Sequence, residues 1–157
     1  NFSRDSALDF VRKIARDMKQ ADRLLIGMDL IKDEEILHAA YNDSQGVTAA
    51  FNLNILSSVN NILESNFRKW DFRHLAFYNP EESRIEMHLE ALRDVRVESP
   101  HLNEHILISK GERIHTENSH KFNRTHLKEI SEGSGLYIRE NTSDDQDWVA
   151  LVEFEKR

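Results

Sequence analysis

Cysteine is absent from this chain of 157 residues. That excludes disulfides, a thiol nucleophile and cysteine-ligated zinc together. Glycine and proline are nearly as scarce, at five and two residues, where an average chain carries about 7% and 5%. So few glycines leave no room for a P-loop or a G-x-G-x-x-G phosphate cradle. No apolar run approaches the roughly 20 residues of a membrane helix, and residues 1–20 are too charged for a secretory signal. Both absences point to a cytoplasmic protein with no membrane partner. A basic excess is missing as well: 21 Lys and Arg against 28 Asp and Glu leave a net charge of −7, the wrong sign for a nucleic-acid footprint. What remains, 39% hydrophobic and 31% charged, is about one domain's worth of globular protein. The first residue is Asn1, which reads as a piece of something longer.

Periodicity then orders the chain. Residues 4–19 predict an amphipathic helix capped by Ser3, with Leu8, Val11, Ile14, Ala15 and Met18 on one stripe. LLIGMDL (24–30) reads as a strand buried on both faces, as in a parallel sheet. A short helix over 32–41 follows, capped by Asp33. A longer one, about 45–64, is capped by Asp43 or Ser44, with Val47, Phe51, Ile55, Val59 and Ile62 on its apolar stripe and an unusual number of asparagines. From Phe72 the period becomes alternating, and five successive strands up to about residue 119 suggest an antiparallel meander. A capped helix over 123–132 is closed by GSG (133–135), and two final strands complete the chain. The order places a β-rich insert between two pieces of an α/β layer.

Three local patterns invite chemistry. HLNEH (101–105) spells the H-x-x-E-H zinc motif, but that motif works only on a helix. Here Pro100 precedes it and a strand begins inside it. GSG follows a helix and precedes a strand, the reverse of the order that aims amides at a phosphate, so it reads as a helix C-cap. In ERIHTENS (112–119) alternation puts His115, Glu117 and Ser119 on one face. If that face lines a cleft, a carboxylate and a hydroxyl about 7 Å apart can grip a small ring bearing N–H groups. Otherwise it is the wet face of a sheet. Met87 shares an apolar row with Ile85 and Leu89, where core filling is the simplest role.

Four longer strings go further. GMDLIKD (27–33), AYNDSQGVTAAFNLNIL (40–56), AFYNPEESRIEMHL (76–89) and IHTENSHKF (114–122) together resemble the histidine-specific S-adenosylmethionine-dependent methyltransferases. The best-studied type makes hercynine, the trimethylated histidine of ergothioneine biosynthesis. The resemblance implies the C-terminal part of a Rossmann-like methyltransferase domain interrupted by an α+β substrate-binding domain with an antiparallel sheet. Residues 1–31 and 122–157 would belong to the cofactor domain and 32–121 to the substrate domain. By the same resemblance Glu117 and Ser119 hold the substrate imidazole, Met87 lies beside that ring, and Tyr41 and Asn1 hold the amino-acid end. No catalytic side chain and no metal are implied. The glycine-rich S-adenosylmethionine loop of the family lies upstream of Asn1, so the chain is expected to be a fragment that lacks the N-terminal half and most cofactor contacts. The implied activity is methylation of the histidine α-amino group. A methyltransferase for another amino acid or amine, or a non-catalytic substrate-binding module, is the alternative.

Overall fold

The computed structural model describes residues 1–156. In chain order the elements are α1 (Arg4–Asp17), β1 (Arg23–Asp29), α2 (Glu34–Tyr41), α3 (Val47–Leu63), β2 (Phe72–Asn79) and β3 (Arg84–Ala91). There follow β4 (Val95–Val97), β5 (Ile106–Ile108), β6 (Arg113–His120), α4 (Arg124–Ser134), β7 (Tyr137–Ser143) and β8 (Val149–Glu155). They divide into two compact units. The first holds Asn1–Asp33, Pro80–Arg84 and the segment from Ser119 onward; the second holds Glu34–Asn79 and Ile85–Asn118. Among the described residues no helix is long and apolar enough to cross a membrane.

The first unit is a three-stranded sheet in the order β1-β8-β7. Ser3 begins α1 as expected, its hydroxyl accepting from the Ser6 N–H at 3.2 Å. Ala7, Val11 and Ala15 of α1 pack with Leu127 and Ile130 of α4 and with Met28, Val152 and Phe154 of the sheet in one core. Val152 and Phe154 are wholly buried, and each such side chain contributes about 1.5–3 kcal/mol by leaving water. The expectation of a parallel strand buried on both faces is overturned. β1 pairs antiparallel with β8, and its burial alternates: Leu24, Ile26 and Met28 face the core while Leu25 is 60% exposed. The reason is coverage, because the helix-packed core takes only one face, and Leu25, Val149 and Leu151 remain exposed on residues paired across β1 and β8.

GSG divides its work between its glycines. Gly135 caps α4 in the left-handed region at φ 74°, which only glycine adopts without strain. Gly133 lies inside α4, and a Cβ there would come within 2.8 Å of Leu8 Cδ1. That glycine lets α1 and α4 approach closely.

In the second unit the expected meander splits. β2, β3 and β6 form one sheet in that order, while β4 and β5 pair antiparallel with each other as a separate ribbon. The two ribbon strands have three residues each, and the irregular stretch between them holds Pro100, which cannot donate to a ladder. The chain thus leaves the sheet after β3 and returns to it at β6.

Helix α3 corrects a second expectation. Its supposed core stripe is turned outward: Val47, Phe51, Ile55 and Ile62 are all exposed, Phe51 by 65%. The buried positions are Asn52 and Leu56. Amide hydrogen bonds decide the rotation, since Asn52 and Asn60 bond into the unit, Asn60 donating to the Phe67 carbonyl at 2.8 Å. A buried asparagine that satisfies every donor and acceptor outweighs a stripe of moderate apolarity. Asp43, not Ser44, accepts from the first amides of the helix, Val47 and Thr48, both at 2.8 Å.

Candidate functional site

In the first unit a cavity of about 380 Å³ opens between α1 and the end of β1. Asn1, Asp29, Ser119 and His120 supply its polar wall, and Phe2, Phe10 and Phe122 part of its apolar wall. Two of the five expected site residues, Asn1 and Ser119, therefore line one cavity although 118 positions separate them in the chain. The backbone explains Ser119's setting. Phe122 N–H donates to the Asp29 carbonyl and Ile31 N–H to the Phe122 carbonyl, each at 2.8 Å, so the segment after β6 lies against the end of β1.

That pairing carries Lys121 into the interior. Its side chain is 0% exposed, and Nζ donates to Asp29 Oδ2 at 2.7 Å and to Ser119 Oγ at 2.8 Å. The other Asp29 oxygen accepts from Lys32 Nζ at 2.7 Å. Burial alone would raise the Asp29 carboxyl, but the bonds from Lys121 and Lys32 hold it below its ordinary 3.8. Sequence reasoning passed over both Lys121 and Asp29. A lysine between His120 and Phe122 looks like any surface strand residue, and only the pairing to β1 shows it is inside.

The second unit brings Tyr41 and Met87 together. Met87 is 3% exposed and packs with Leu37, Ala76 and Ile85, and Tyr41 lies half-buried against the same cluster. Glu117 lines a smaller cavity of about 210 Å³ with Phe51, Ile55, Asn52 and Thr116. Glu117 and Ser119 are two residues apart on β6, one on each side of the division between units.

A neutral hydrogen-bond network ties together the main chain at the second unit's candidate residues. Asn52 Nδ2 donates to the His88 carbonyl at 3.0 Å and lies 2.9 Å from His74 Nδ1, whose Nε2 lies 2.8 Å from the Tyr41 carbonyl. A carbonyl only accepts, so His74 carries its proton on Nε2 and accepts at Nδ1. Asn52 Oδ1 accepts from the Thr116 hydroxyl at 2.6 Å, and that hydroxyl also lies 2.9 Å from the Met87 carbonyl. One asparagine thus ties together the backbone at Tyr41 and at Met87 and the residue preceding Glu117. The abundance of asparagine in α3 was the visible signal for it.

Among the described residues, one cluster of histidines brings metal-ligating atoms close, and HLNEH is not it. Residues 101–105 form an irregular segment, with His101 Nε2 3.4 Å from Glu64. Glu86, His88 and His115 bring donor atoms within 4.8 Å of one another. However, the His88 and His115 rings stack at 4.5 Å and 16°, so their in-plane lone pairs run alongside each other instead of meeting at one ion. Burial pushes His88 below its ordinary 6.5. As for an organic cofactor, no glycine among the described residues sits in a strand-to-helix turn. The residues in hand do not by themselves build the loop such a cofactor takes.

Comparison with known proteins gives this arrangement its class. The profile of the family described as "Histidine-specific methyltransferase, SAM-dependent" matches residues 1–156. The chain belongs to that family. It is 41% identical over 114 residues to the histidine N-alpha-methyltransferase of Mycolicibacterium smegmatis, covering 73% of this chain and 36% of that protein. The enzyme of the same name from Mycobacterium tuberculosis is 42% identical over 72% of this chain and 35% of its own length. "Ergothioneine biosynthesis protein 1" of Neurospora crassa is 30% identical over 87% of this chain and 15% of its own. The chain spans about a third of the length of the two bacterial relatives.

Proposed function

We propose that this chain supplies the acceptor-binding part of a methyltransferase that transfers methyl groups from S-adenosylmethionine to the α-amino group of histidine, giving hercynine. The observation that carries the reading is the family match over residues 1–156, joined to the shared cavity of Asn1 and Ser119. In this reading the unit holding Glu34–Asn79 and Ile85–Asn118 serves the substrate, and the other is the closing part of the methyltransferase domain. S-adenosylmethionine supplies the methyl group on a sulfonium. The residues of this chain supply position and selection.

Each proposed contact has a chemical reason. An anionic Glu117 accepts from an imidazole N–H, and a charge-assisted bond of that kind is about twice as strong as a neutral one. A site built around that bond rejects side chains without a ring N–H, because the carboxylate then loses its partner. Asn1 and Tyr41 are neutral hydrogen-bonding groups, suited to orienting an α-amino acid without adding fixed charge. Holding the amine close to the methyl carbon converts binding into rate, with no general base required of this chain.

The test is calorimetry on the whole protein. Glu117→Ala is expected to weaken histidine binding at least about tenfold. Unchanged affinity would remove Glu117 from the site. Methyl transfer assayed against a panel of amino acids then separates a histidine enzyme from a relative with another acceptor.

A further inference from the structure

The geometry points to Lys121 as a positioning residue for Ser119: its buried ammonium donates to the Ser119 hydroxyl and thereby makes that hydroxyl a donor toward a ring nitrogen in the cavity. The inference rests on the proposal that Ser119 holds the substrate imidazole, and it adds a specificity determinant behind the cavity wall.

The direction of the bond is fixed by chemistry. An ammonium has three protons and no lone pair, so in the 2.8 Å contact between Nζ and Oγ the serine must accept. An oxygen already accepting from a cation is a weaker acceptor and a stronger donor toward its next neighbour. Ser119, on the cavity wall, is therefore biased to give its proton to a lone pair. A neutral imidazole has one N–H and one lone pair. A donor at Ser119 matches that lone pair, whereas an accepting Ser119 would leave it without a partner.

Lys121 is also held too firmly to be a bystander. Its own backbone N–H donates to the Ser83 carbonyl at 2.8 Å, and the following residue is paired to Asp29 and Ile31. Its side chain is wholly enclosed. Charge balance is met by Asp29 at 2.7 Å, which Lys32 holds from the other side. A lysine serving only as a counter-ion for Asp29 would duplicate Lys32. The second bond, to Ser119, is what Lys32 does not make.

A double-mutant cycle in the whole protein tests this. Histidine is titrated calorimetrically into wild type, Lys121→Met, Ser119→Ala and the double variant, and thermal unfolding is recorded for each. Lys121→Met is expected to weaken histidine binding about tenfold, and Ser119→Ala by a similar factor. In the Ser119→Ala background Lys121→Met changes affinity by less than about twofold, because its route to the ligand is already gone. Its Tm loss stays the same in both backgrounds. Additive affinity losses, or unchanged affinity in Lys121→Met, overturn the inference. If Lys121→Met does not fold, Lys121→Gln carries the cycle: a neutral donor is expected to weaken binding about threefold and to lose that effect when Ser119 is alanine. Ser119→Ala without effect while Glu117→Ala weakens binding sinks this inference and leaves the proposed function standing. If neither variant changes histidine affinity, the proposed function fails and the inference falls with it.

Discussion

The two units solve the same problem, holding polar residues inside, with different chemistry. Beside Asn1 and Ser119 the interior is ionic: a fully enclosed Lys121, the Asp29 carboxylate and Lys32 in a chain of bonds of 2.7 to 2.8 Å. Beside Tyr41, Met87 and Glu117 it is neutral, an asparagine, a histidine and a threonine closing on main-chain carbonyls. Charge is not the measure of what each arrangement is worth. Asp29 keeps 41% of its side chain in water, while Asn52 keeps 3% of the residue. A polar group stranded away from water loses most, whether or not it is ionised.

The neutral network is therefore expected to be the harder one to break. Asn52→Leu removes one partner from each of three groups: His74 Nδ1, the His88 carbonyl and the Thr116 hydroxyl. At about 1–3 kcal/mol for each stranded group, partly recovered by water, the loss of unfolding free energy should be about 3 kcal/mol. Denaturant unfolding of the variant and wild type measures it. A loss below about 1 kcal/mol would show that the network is replaceable by packing.

Breaking the ionic side should cost less. Asp29→Ala takes a carboxylate from the buried Lys121 ammonium, and breaking a fully buried pair costs about 3–5 kcal/mol. Lys121 is left wholly enclosed but keeps its bond to Ser119, so about 2 kcal/mol is expected here. If Asp29→Ala proves more damaging than Asn52→Leu under the same denaturant, burial is not the deciding variable, and the comparison reverses.

Much of this was legible in the sequence and part was not, for physical reasons. Local rules located the elements: the Ser3 cap, the alternation of Ile85, Met87 and Leu89, and the glycine after α4 depend on near neighbours. Alternation also put Glu117 on a polar strand with Ser119, the long matching strings added Tyr41 and Met87 as candidates, and Asn1 came in by its place before a capped helix. Pairing partners were out of reach. β1 looked doubly buried because seven residues in a row say nothing about which face a helix covers. The face of α3 was misjudged because apolar periodicity counts Phe51 and Ile55 but cannot count the three hydrogen-bonding partners that draw Asn52 inward. Lys121 was invisible for the same reason: its burial is created by Asp29, 92 positions away.

The smallest expected effect asks whether a neutral group in the ionic unit behaves as the neutral groups of the other unit do. His126 closes a capping box at the start of α4: Asn123 Oδ1 accepts from the His126 N–H at 2.9 Å, and His126 Nδ1 accepts from the Asn123 N–H at 3.3 Å. Accepting at Nδ1 requires a lone pair there, so protonation on that nitrogen breaks half the box. Burial, with Arg4 nearby adding to it, holds the ring below its ordinary 6.5. A group depressed in the fold binds its proton more readily in the unfolded chain, so its contribution is complete above 6.5 and is lost as pH falls toward the folded value. His126→Gln keeps an acceptor at the same helical position and removes the titration. Thermal unfolding from neutral pH downward should show wild type losing stability relative to His126→Gln below about pH 6.5, with the two curves parallel above it. Curves that stay parallel throughout would mean that His126 keeps its proton balance on unfolding. The neutral polar groups of the ionic unit would then be set by local capping alone and not by burial.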